Sequence, residues 1–231
     1  MSAEPKPSAT VVLVRDGDEQ LELLLLERNT AREQKRGPWV FPGGKIEPAD
    51  RVGGGQSVQQ SARRAAVREA QEEAGLELDV SQLIAISRWI TPEISPKRFD
   101  TWFFLGRIGS EHEVTVDGGE ICAHRWISPR DALAAHGRGE IRLAPPTFVT
   151  VTWMAPHATT DAALRSLRDE SIPTFRPRIC PRPEGVCILY AGDAGYDEGA
   201  IERAGARHRL WMKDDGWFYE RTPLHEWERR P

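Results

Sequence analysis

Three glutamates stand close together in residues 68–76, which read REAQEEAGL. On a helix, Glu69, Glu72 and Glu73 occupy positions i, i+3 and i+4, so their carboxylates share one face. Like charges at this spacing repel one another, and no lysine or arginine stands between them. Hard divalent cations, Mg²⁺ or Mn²⁺ above all, bind such oxygen ligands and would offset the repulsion. The segment therefore predicts a metal-binding helix face.

A solvated acidic face is the alternative interpretation of three glutamates on a helix. Two neighbouring features favour the metal site instead. The loop FPGG lies upstream at residues 41–44, and Gly75 ends the helix abruptly as a C-cap. On this hypothesis we expect Glu73 to be exposed on the metal side of the helix.

These residues resemble the box of the Nudix hydrolases, G-x5-E-x7-R-E-U-x-E-E-x-G-U, in which U is aliphatic. Residues 68–76 match its second half, with Ala70 at the first aliphatic position, and residues 41–47 (FPGGKIE) resemble its first half. The spacing between the halves departs from the box. Counting forward from Gly44 puts Asp50 at the position of the first glutamate of the box, whereas counting back from Arg68 puts Gln60 at that position. We infer an insertion of about ten residues, 51–60, and leave open whether Asp50 or Glu47 replaces the first acid.

The resemblance implies an α/β/α sandwich with a mixed sheet, and hydrolysis of a nucleoside diphosphate linked to another group. It also implies a set of metal ligands: the carbonyl of Gly44 and the carboxylates of Glu69, Glu72 and Glu73. Arg68 matches an arginine that orients these glutamates by ion pairing. In the family the general base is a box glutamate or an acid in a later loop, and Glu120, in DGGE at residues 117–120, is our candidate for the later one. An ordinary turn residue is the alternative for Glu120.

The segment before the box resembles the coenzyme A diphosphatase branch of the family. In residues 23–44 (LLLLERNTAREQKRGPWVFPGG), Arg28, Gly37 and FPGG fall at that branch's intervals. Three positions depart from it: Asn29 replaces its serine, its second arginine is displaced to Arg32, and Glu47 replaces its aspartate. Residues 98–101 and 140–147 also look like a mammalian peroxisomal member of the branch. Coenzyme A or an acyl-coenzyme A is therefore the lead substrate, and ADP-ribose, NADH and damaged nucleoside triphosphates are the rivals.

Basic residues near this loop could bind the substrate phosphates, because arginine suits bidentate phosphate contact. The candidates are Arg28, Arg36 and Lys45, with Arg32 and Lys35 beside them, and a solvated basic loop is the alternative. A Nudix-fold module that binds a nucleotide without cleaving it is the rival from another functional class. Such modules usually lose box carboxylates, and the three glutamates here favour an enzyme.

Patterns along the chain predict the elements that must position these residues. Apolar runs at 9–15 and 21–27 flank the turn 16–18 and predict a hairpin, and residues 37–44 predict a short strand running into a tight loop. Residues 57–75 predict one long helix, preceded by a flexible insertion at 51–57. We further predict strands at 79–90, 99–107 and 121–127, and short helices at 131–135 and 161–167. Strands interleaved with one long helix indicate a layered α/β domain.

The tail differs from the rest in composition, beginning with four prolines between residues 173 and 183. An apolar run at 186–190 and a hairpin over 208–220 predict a short β appendage packed on the main domain. We therefore divide the chain into a Nudix domain, residues 1–170, and an appendage, residues 171–231. The aromatic hairpin is a candidate core element and a candidate homodimer interface.

Composition excludes several broad classes of function. The 231 residues carry a net charge of −4, which argues against a general nucleic-acid scaffold. The longest leucine run, residues 23–26, is too short to span a bilayer, and the first residues lack an apolar signal core. Three cysteines without CxxC spacing and six scattered histidines argue against a zinc site. We expect a reduced, cytoplasmic enzyme that acts on a small molecule.

Overall fold

The computed structural model describes residues 3–29, 37–51, 57–168 and 171–222. Its first eight strands are β1 (Lys6–Asp16), β2 (Leu21–Arg28), β3 (Trp39–Val40), β4 (Gly43–Lys45), β5 (Ile84–Ile90), β6 (Phe99–Arg107), β7 (Ile121–Ile127) and β8 (Thr174–Phe175). The last four are β9 (Arg178–Arg182), β10 (Gly185–Leu189), β11 (His208–Lys213) and β12 (Gly216–Arg221). Its helices are α1 (Val58–Ala74), α2 (Pro129–Gly137), α3 (Pro145–Met154) and α4 (Thr160–Arg168), with 3-10 turns at Pro48–Asp50 and Val80–Gln82. None of these helices is both long enough and apolar enough to cross a bilayer.

Strands β1 to β8 form one mixed sheet with β1 near its centre. The strand order is β3-β2-β1-β6-β5-β8, while β4 pairs with β1 and β7 pairs with β2. β1 runs parallel to β6 over most of its length, from Lys6 opposite Phe99 to Val14 opposite Arg107. β5 is also parallel to β8, whereas the other pairs are antiparallel. The central strand is therefore held by both kinds of pairing.

Helices cover both faces of this sheet. Alternate residues of β1 point to opposite faces, so Val11 and Leu13 pack towards α1 while Val12 and Val14 pack towards α2, α3 and α4. The face of α1 turned to the sheet consists largely of alanines: Ala62, Ala65, Ala66, Ala70 and Ala74. These small side chains bring the helix close to the strands. The fold is thus an α/β sandwich built on a mixed sheet.

Strands β9 to β12 form a second, antiparallel sheet that shares a core with the first. Phe175 of β8 stacks on Trp89 of β5 with ring centroids 3.9 Å apart, and Tyr190 meets Trp89 edge-on at 5.7 Å. On the last hairpin, Trp217 packs edge-on against His136 and Phe148. The two sheets are therefore in direct contact, although the division of the chain at residue 170 stays a prediction.

The elements that carry the candidate site agree with those expected from the sequence. The first hairpin, the loop 37–44, helix α1, and β6, β7 and the last hairpin are all present. The prediction of a strand from residue 79 was wrong, because the Asp79 carboxylate accepts the Ser81 amide and starts a 3-10 turn, so β5 begins at Ile84. Helix α3 was not predicted, since its first turn is Pro-Pro, although proline fits that position. Half of the proposed insertion 51–60, namely residues 52–56, lies outside the described residues.

Candidate active site

Helix α1 fixes the position of the three glutamates through its two caps. At its start the Ser57 hydroxyl accepts the Gln60 amide in a capping box. At its end Gly75 adopts a left-handed conformation, φ +70°, and donates its amide to the Gln71 carbonyl at 3.0 Å, while the Leu76 amide donates to the Ala70 carbonyl at 3.3 Å. The sharp end after Ala74 keeps Glu72 and Glu73 in the last full turn.

A cavity of about 740 Å³ lies between α1, β4 and the loop before β7. It brings together most of the residues singled out in the sequence: Arg28, Gly44, Lys45, Arg68, Glu69, Glu72, Glu73 and Glu120. Arg36 lies outside the described residues. The cavity therefore combines a carboxylate cluster with cationic side chains at its border.

Arg68 is the hub of the hydrogen bonds in this cavity. Its Nη1 donates to Glu69 Oε1 at 2.9 Å and to Glu72 Oε2 at 2.8 Å. Its Nη2 donates to the Lys45 carbonyl at 2.9 Å and to Asp50 Oδ2 at 3.1 Å. Burial alone would lower the pKa of Arg68, but the carboxylates of Asp50 and Glu69 outweigh it and hold the pKa above its usual value. The guanidinium thus ties α1 to the loop that carries Gly44.

Asp50, one of the two acids considered for the first box position, is a partner of Arg68. Its side chain is buried, and it also accepts the Glu47 amide at 2.8 Å, which closes the 3-10 turn. Glu47 is exposed and lines the rim of the cavity. In this geometry Asp50 holds the arginine that orients Glu69 and Glu72, so it positions the cluster from behind.

Glu73 is buried, with 5% of its surface exposed, which corrects the expectation of an exposed side chain. The physical reason is the close approach of β4, whose Gly43 amide donates to Glu73 Oε2 at 2.9 Å. Burial raises the pKa of Glu73 to about 7, aided by the charges of Glu69 and Glu120 and opposed by the Gly43 amide and Arg28. Glu73 is therefore a carboxyl group that can gain or lose a proton near neutral pH.

Gly44 permits the closest approach between the loop and the helix. A Cβ atom on Gly44 would overlap the carboxylate of Glu69, so a side chain at position 44 would displace one of the glutamates. Burial raises the pKa of Glu69, while Arg68 opposes the rise. The backbone of Gly44 and the Glu69 carboxylate thus border the same small space.

The donor set fits a hard divalent cation. Carboxylate oxygens and a backbone carbonyl are the ligands that Mg²⁺ and Mn²⁺ prefer. Within the described ranges, however, no three acidic, histidine or cysteine side chains converge as a ready-made metal group. Glu69 and Glu72 bond to Arg68, and Glu73 bonds to the Gly43 amide. The residues match a metal site in the chemistry of their donor atoms, and they line the same cavity.

The loop carrying Glu120 is fixed from two sides. The Asp117 carboxylate accepts the amides of Glu120 and Ile121, both at 2.9 Å. At the end of β2, the Asn29 amide donates to the Glu120 carbonyl at 2.7 Å, and its side chain donates to the Gly119 carbonyl. The loop therefore holds Glu120 in the lining of the cavity that also contains the α1 glutamates.

Lys97 also lines this cavity, and the sequence did not single it out. It lies in the loop between β5 and β6, which carries no motif of its own. Its neighbours at residues 98–101 belong to one of the stretches that resemble the coenzyme A diphosphatase branch. The resemblance of that stretch was the only available signal, and it did not indicate which side chain faces the cavity.

Comparisons with known proteins identify relatives of this chain. The human acyl-coenzyme A diphosphatase NUDT19 is 29% identical over 197 residues, covering 81% of this chain and 50% of that relative. The CTP pyrophosphohydrolase of Escherichia coli K12 is 30% identical over 128 residues, covering 53% of this chain and 75% of that enzyme. The chain therefore spans half the length of the human relative and three quarters of the bacterial one.

Structural similarity and a family profile agree on the fold. The crystal structure of a NUDIX hydrolase from Alicyclobacillus acidocaldarius aligns with a TM-score of 0.65 and 24% identity, covering 73% of this chain and 99% of that one. The NUDIX domain profile matches residues 4–147, which contain the α1 cluster, the loop 41–44 and Glu120. This match spans more than half of the chain. The chain therefore belongs to the Nudix family of diphosphate hydrolases.

Proposed function

We propose that this Nudix hydrolase is divalent-metal-dependent and cleaves the diphosphate of coenzyme A or an acyl-coenzyme A. The observation that carries the proposal is the single cavity in which the α1 carboxylates face the cations Arg28 and Lys45. A diphosphate carries concentrated negative charge, so its hydrolysis needs cations that neutralise this charge and a group that activates the attacking water. The cavity offers groups suited to both needs.

Glu69, Glu72 and Glu73, with the Gly44 carbonyl, are the residues we assign to Mg²⁺ or Mn²⁺. When bound, a divalent cation supplies neutralisation of the diphosphate charge and acidification of water. Arg68 orients Glu69 and Glu72 through its hydrogen bonds, and Asp50 holds Arg68 in turn. Replacing Gly44 with alanine would disturb Glu69 directly, which supports the assignment of the loop to the site.

The remaining residues of the cavity have roles in substrate binding and proton transfer in this proposal. Arg28 and Lys45 bind the phosphate oxygens, Arg28 suiting bidentate contact. Two carboxyl groups are candidates for the general base: Glu120 at the cavity border, and Glu73 of the α1 cluster. The base takes a proton from a water molecule while the oxygen of that water bonds to phosphorus. The bridging P–O bond breaks at the same time, and the other phosphate leaves with the bridging oxygen.

Coenzyme A leads the substrate candidates for two reasons. Residues 23–44 resemble the coenzyme A diphosphatase branch, and the human relative is named an acyl-coenzyme A diphosphatase. The Escherichia coli relative is named for CTP, so a nucleoside triphosphate is the second candidate, beside ADP-ribose and NADH. A non-catalytic nucleotide-binding module is less well supported, because the chain keeps all three box glutamates.

Product analysis by mass spectrometry tests the proposal. The protein is incubated with Mg²⁺ or Mn²⁺ and separately with coenzyme A, acetyl-coenzyme A, ADP-ribose, NADH, CTP and dGTP analogues. Coenzyme A should yield adenosine 3′,5′-bisphosphate and 4′-phosphopantetheine, and EDTA should abolish the reaction. Cleavage of CTP, ADP-ribose or NADH alone would overturn the assignment of coenzyme A as the substrate. Binding without cleavage would favour the non-catalytic module.

We also propose the organisation and setting in which this activity operates. Residues 1–170 form the catalytic domain and residues 171–231 an appendage packed on it. Support comes from two rings after residue 170 that pack on the main domain: Tyr190 meets Trp89 of β5, and Trp217 meets His136 of α2. Free thiols at Cys122, Cys180 and Cys187 support a reduced cytoplasmic compartment. Phe218, 42% exposed on the last hairpin, is a candidate contact for a homodimer.

A further inference from the structure

A second cavity, of about 450 Å³, adjoins the carboxylate cavity. The two share five lining residues: Thr10, Arg28, Gly43, Phe99 and Thr101. A molecule held by its diphosphate at Arg28 can therefore extend into the second cavity without leaving the protein surface. Its volume lies within the range of small-molecule binding pockets.

The second cavity differs from the first in chemistry. Phe41, Trp89 and Phe103 contribute aromatic surface, and the start of α3 contributes Pro145 and Pro146. Among the described residues that line it, Arg28 is the one charged side chain, and it stands at the junction with the carboxylate cavity. The remaining polar side chains are hydroxyls, and that of Thr91 already accepts the Phe99 amide. Such a surface suits an apolar group that makes few hydrogen bonds.

One wall of this cavity comes from outside the NUDIX match at residues 4–147. Ile179 of β9 and Ile188 of β10 are directly opposite each other in the second sheet, and both line the cavity. Pro177, just before β9, lies beside them. Ile188 is 5% exposed and belongs to the core that also contains Trp89 and Phe175. The wall is therefore a cross-strand isoleucine pair fixed to the main sheet.

We propose that this cavity binds the acyl group of an acyl-coenzyme A, and that Ile179 and Ile188 determine which acyl chains fit. This inference rests on the proposed function, because it assigns the far end of the same substrate. A purine base would need partners for its ring nitrogens and amino group, and the lining offers no acidic or amide side chain for them. An acyl chain gains affinity by burying methylene groups and needs no such partner.

The test compares kcat/KM for coenzyme A, acetyl-, hexanoyl- and octanoyl-coenzyme A. The readout is kcat/KM for octanoyl-coenzyme A divided by kcat/KM for coenzyme A. We expect this ratio to be about 10 or more in the wild type. Ile179→Asp places a charge in the wall and should reduce this ratio about tenfold. Ile179→Trp fills the cavity and should move the preference to shorter chains. Ile94→Asp is the matched control, because Ile94 is exposed and outside this cavity, and its ratio should stay at the wild-type value.

Each outcome separates the acyl site from the proposed function. Cleavage of coenzyme A with the same ratio in wild type and both Ile179 variants would overturn the acyl site and leave the proposed function in place. An equal fall for coenzyme A and octanoyl-coenzyme A in Ile179→Asp would assign the cavity to the shared part of the substrate instead. If no coenzyme A compound is cleaved while ADP-ribose, NADH or CTP is, both proposals fail. Circular dichroism of each variant checks the fold. If Ile179→Asp unfolds, Ile179→Trp still tests the acyl site, because it keeps the wall apolar.

Discussion

The guanidinium of Arg68 donates to both carboxylate oxygens of Asp50, through Nε to Oδ1 at 3.3 Å and through Nη2 to Oδ2 at 3.1 Å. Asp50 is almost completely buried, whereas Arg68 reaches the cavity. One acid behind the site therefore fixes the direction of the arginine that contacts two of the three glutamates. The proposed metal site depends on a residue that does not itself face the metal.

Replacing Asp50 with asparagine should lower kcat/KM about tenfold or more while the fold is kept. The amide retains the shape of the side chain but removes the charge that holds Arg68, so Glu69 and Glu72 lose their fixed orientation. Steady-state kinetics and circular dichroism measure the two effects. Asp18→Asn, in the exposed turn after β1, is the matched control. Unchanged kinetics in Asp50→Asn would show that Asp50 has no part in positioning the site.

Glu73→Gln should reduce turnover by on the order of 10²-fold or more, as expected when a metal-binding or general-base carboxylate is lost. The amide oxygen can still accept the Gly43 amide, so the contact between α1 and β4 should persist. The control is Glu77→Gln, the same substitution at an exposed position just after the helix. Turnover near that of the wild type in Glu73→Gln would contradict the role of Glu73.

The same variant should be more stable than the wild type at pH 8 when metal is chelated. The folded-state pKa of Glu73 is about 7, above its ordinary value of 4.5, so the folded protein binds the extra proton between these values. The contribution of protonated Glu73 to the stability of the fold is fully present below pH 4.5 and is lost as the pH rises through 7. The wild type should lose on the order of 2 kcal/mol of unfolding free energy across this window, and Glu73→Gln should not. Urea unfolding at pH 5 and pH 8 in EDTA measures the difference, and parallel pH profiles would contradict it.

Mg²⁺ or Mn²⁺ should raise the melting temperature of the wild type, because a ligand that binds only the folded state stabilises it. Glu69→Gln should lose most of this shift, since Glu69 is a proposed ligand and lies beside the Gly44 backbone, another proposed ligand. Differential scanning fluorimetry across a metal titration measures the effect. Glu77→Gln should keep the full shift. An equal shift in Glu69→Gln would remove Glu69 from the proposed ligands.

Asp193, after β10, and Arg209 of β11 form a buried ion pair, and Asp193→Asn should destabilise the protein by about 3 kcal/mol. Burial would raise the pKa of Asp193, but its bonds to Arg209 and to the His208 and Gly195 amides lower it overall. Its contribution to stability is therefore present above the ordinary pKa of 3.8 and lost as the pH falls through the lower folded-state value. Urea unfolding measures the loss of unfolding free energy in Asp193→Asn. Asp197→Asn, at an exposed position on the same segment, is the control. A loss below 0.5 kcal/mol would contradict the expectation.

Local signals predicted the part of the site that lies on one helix. The spacing of Glu69, Glu72 and Glu73 and the stop at Gly75 depend on residues close in sequence, so the helix period reveals them. The burial of Glu73 depends on Gly43 of a strand thirty positions earlier, and no local pattern reports that approach. Lys97 and Ile179 were missed for the same reason. Each reaches its cavity from a loop or strand whose position is set by tertiary packing.

The parallel pairing of β1 with β6 has a consequence for the order in which the chain can fold. As the protein leaves the ribosome, the edge of β1 that pairs with β6 has no partner until residue 107 has been made. At about 5–20 residues per second, that delay is on the order of ten seconds. Through this interval an apolar strand edge is open to pairing with other chains. We therefore expect this nascent chain to need protection by chaperones that bind before the second half of the Nudix fold has emerged.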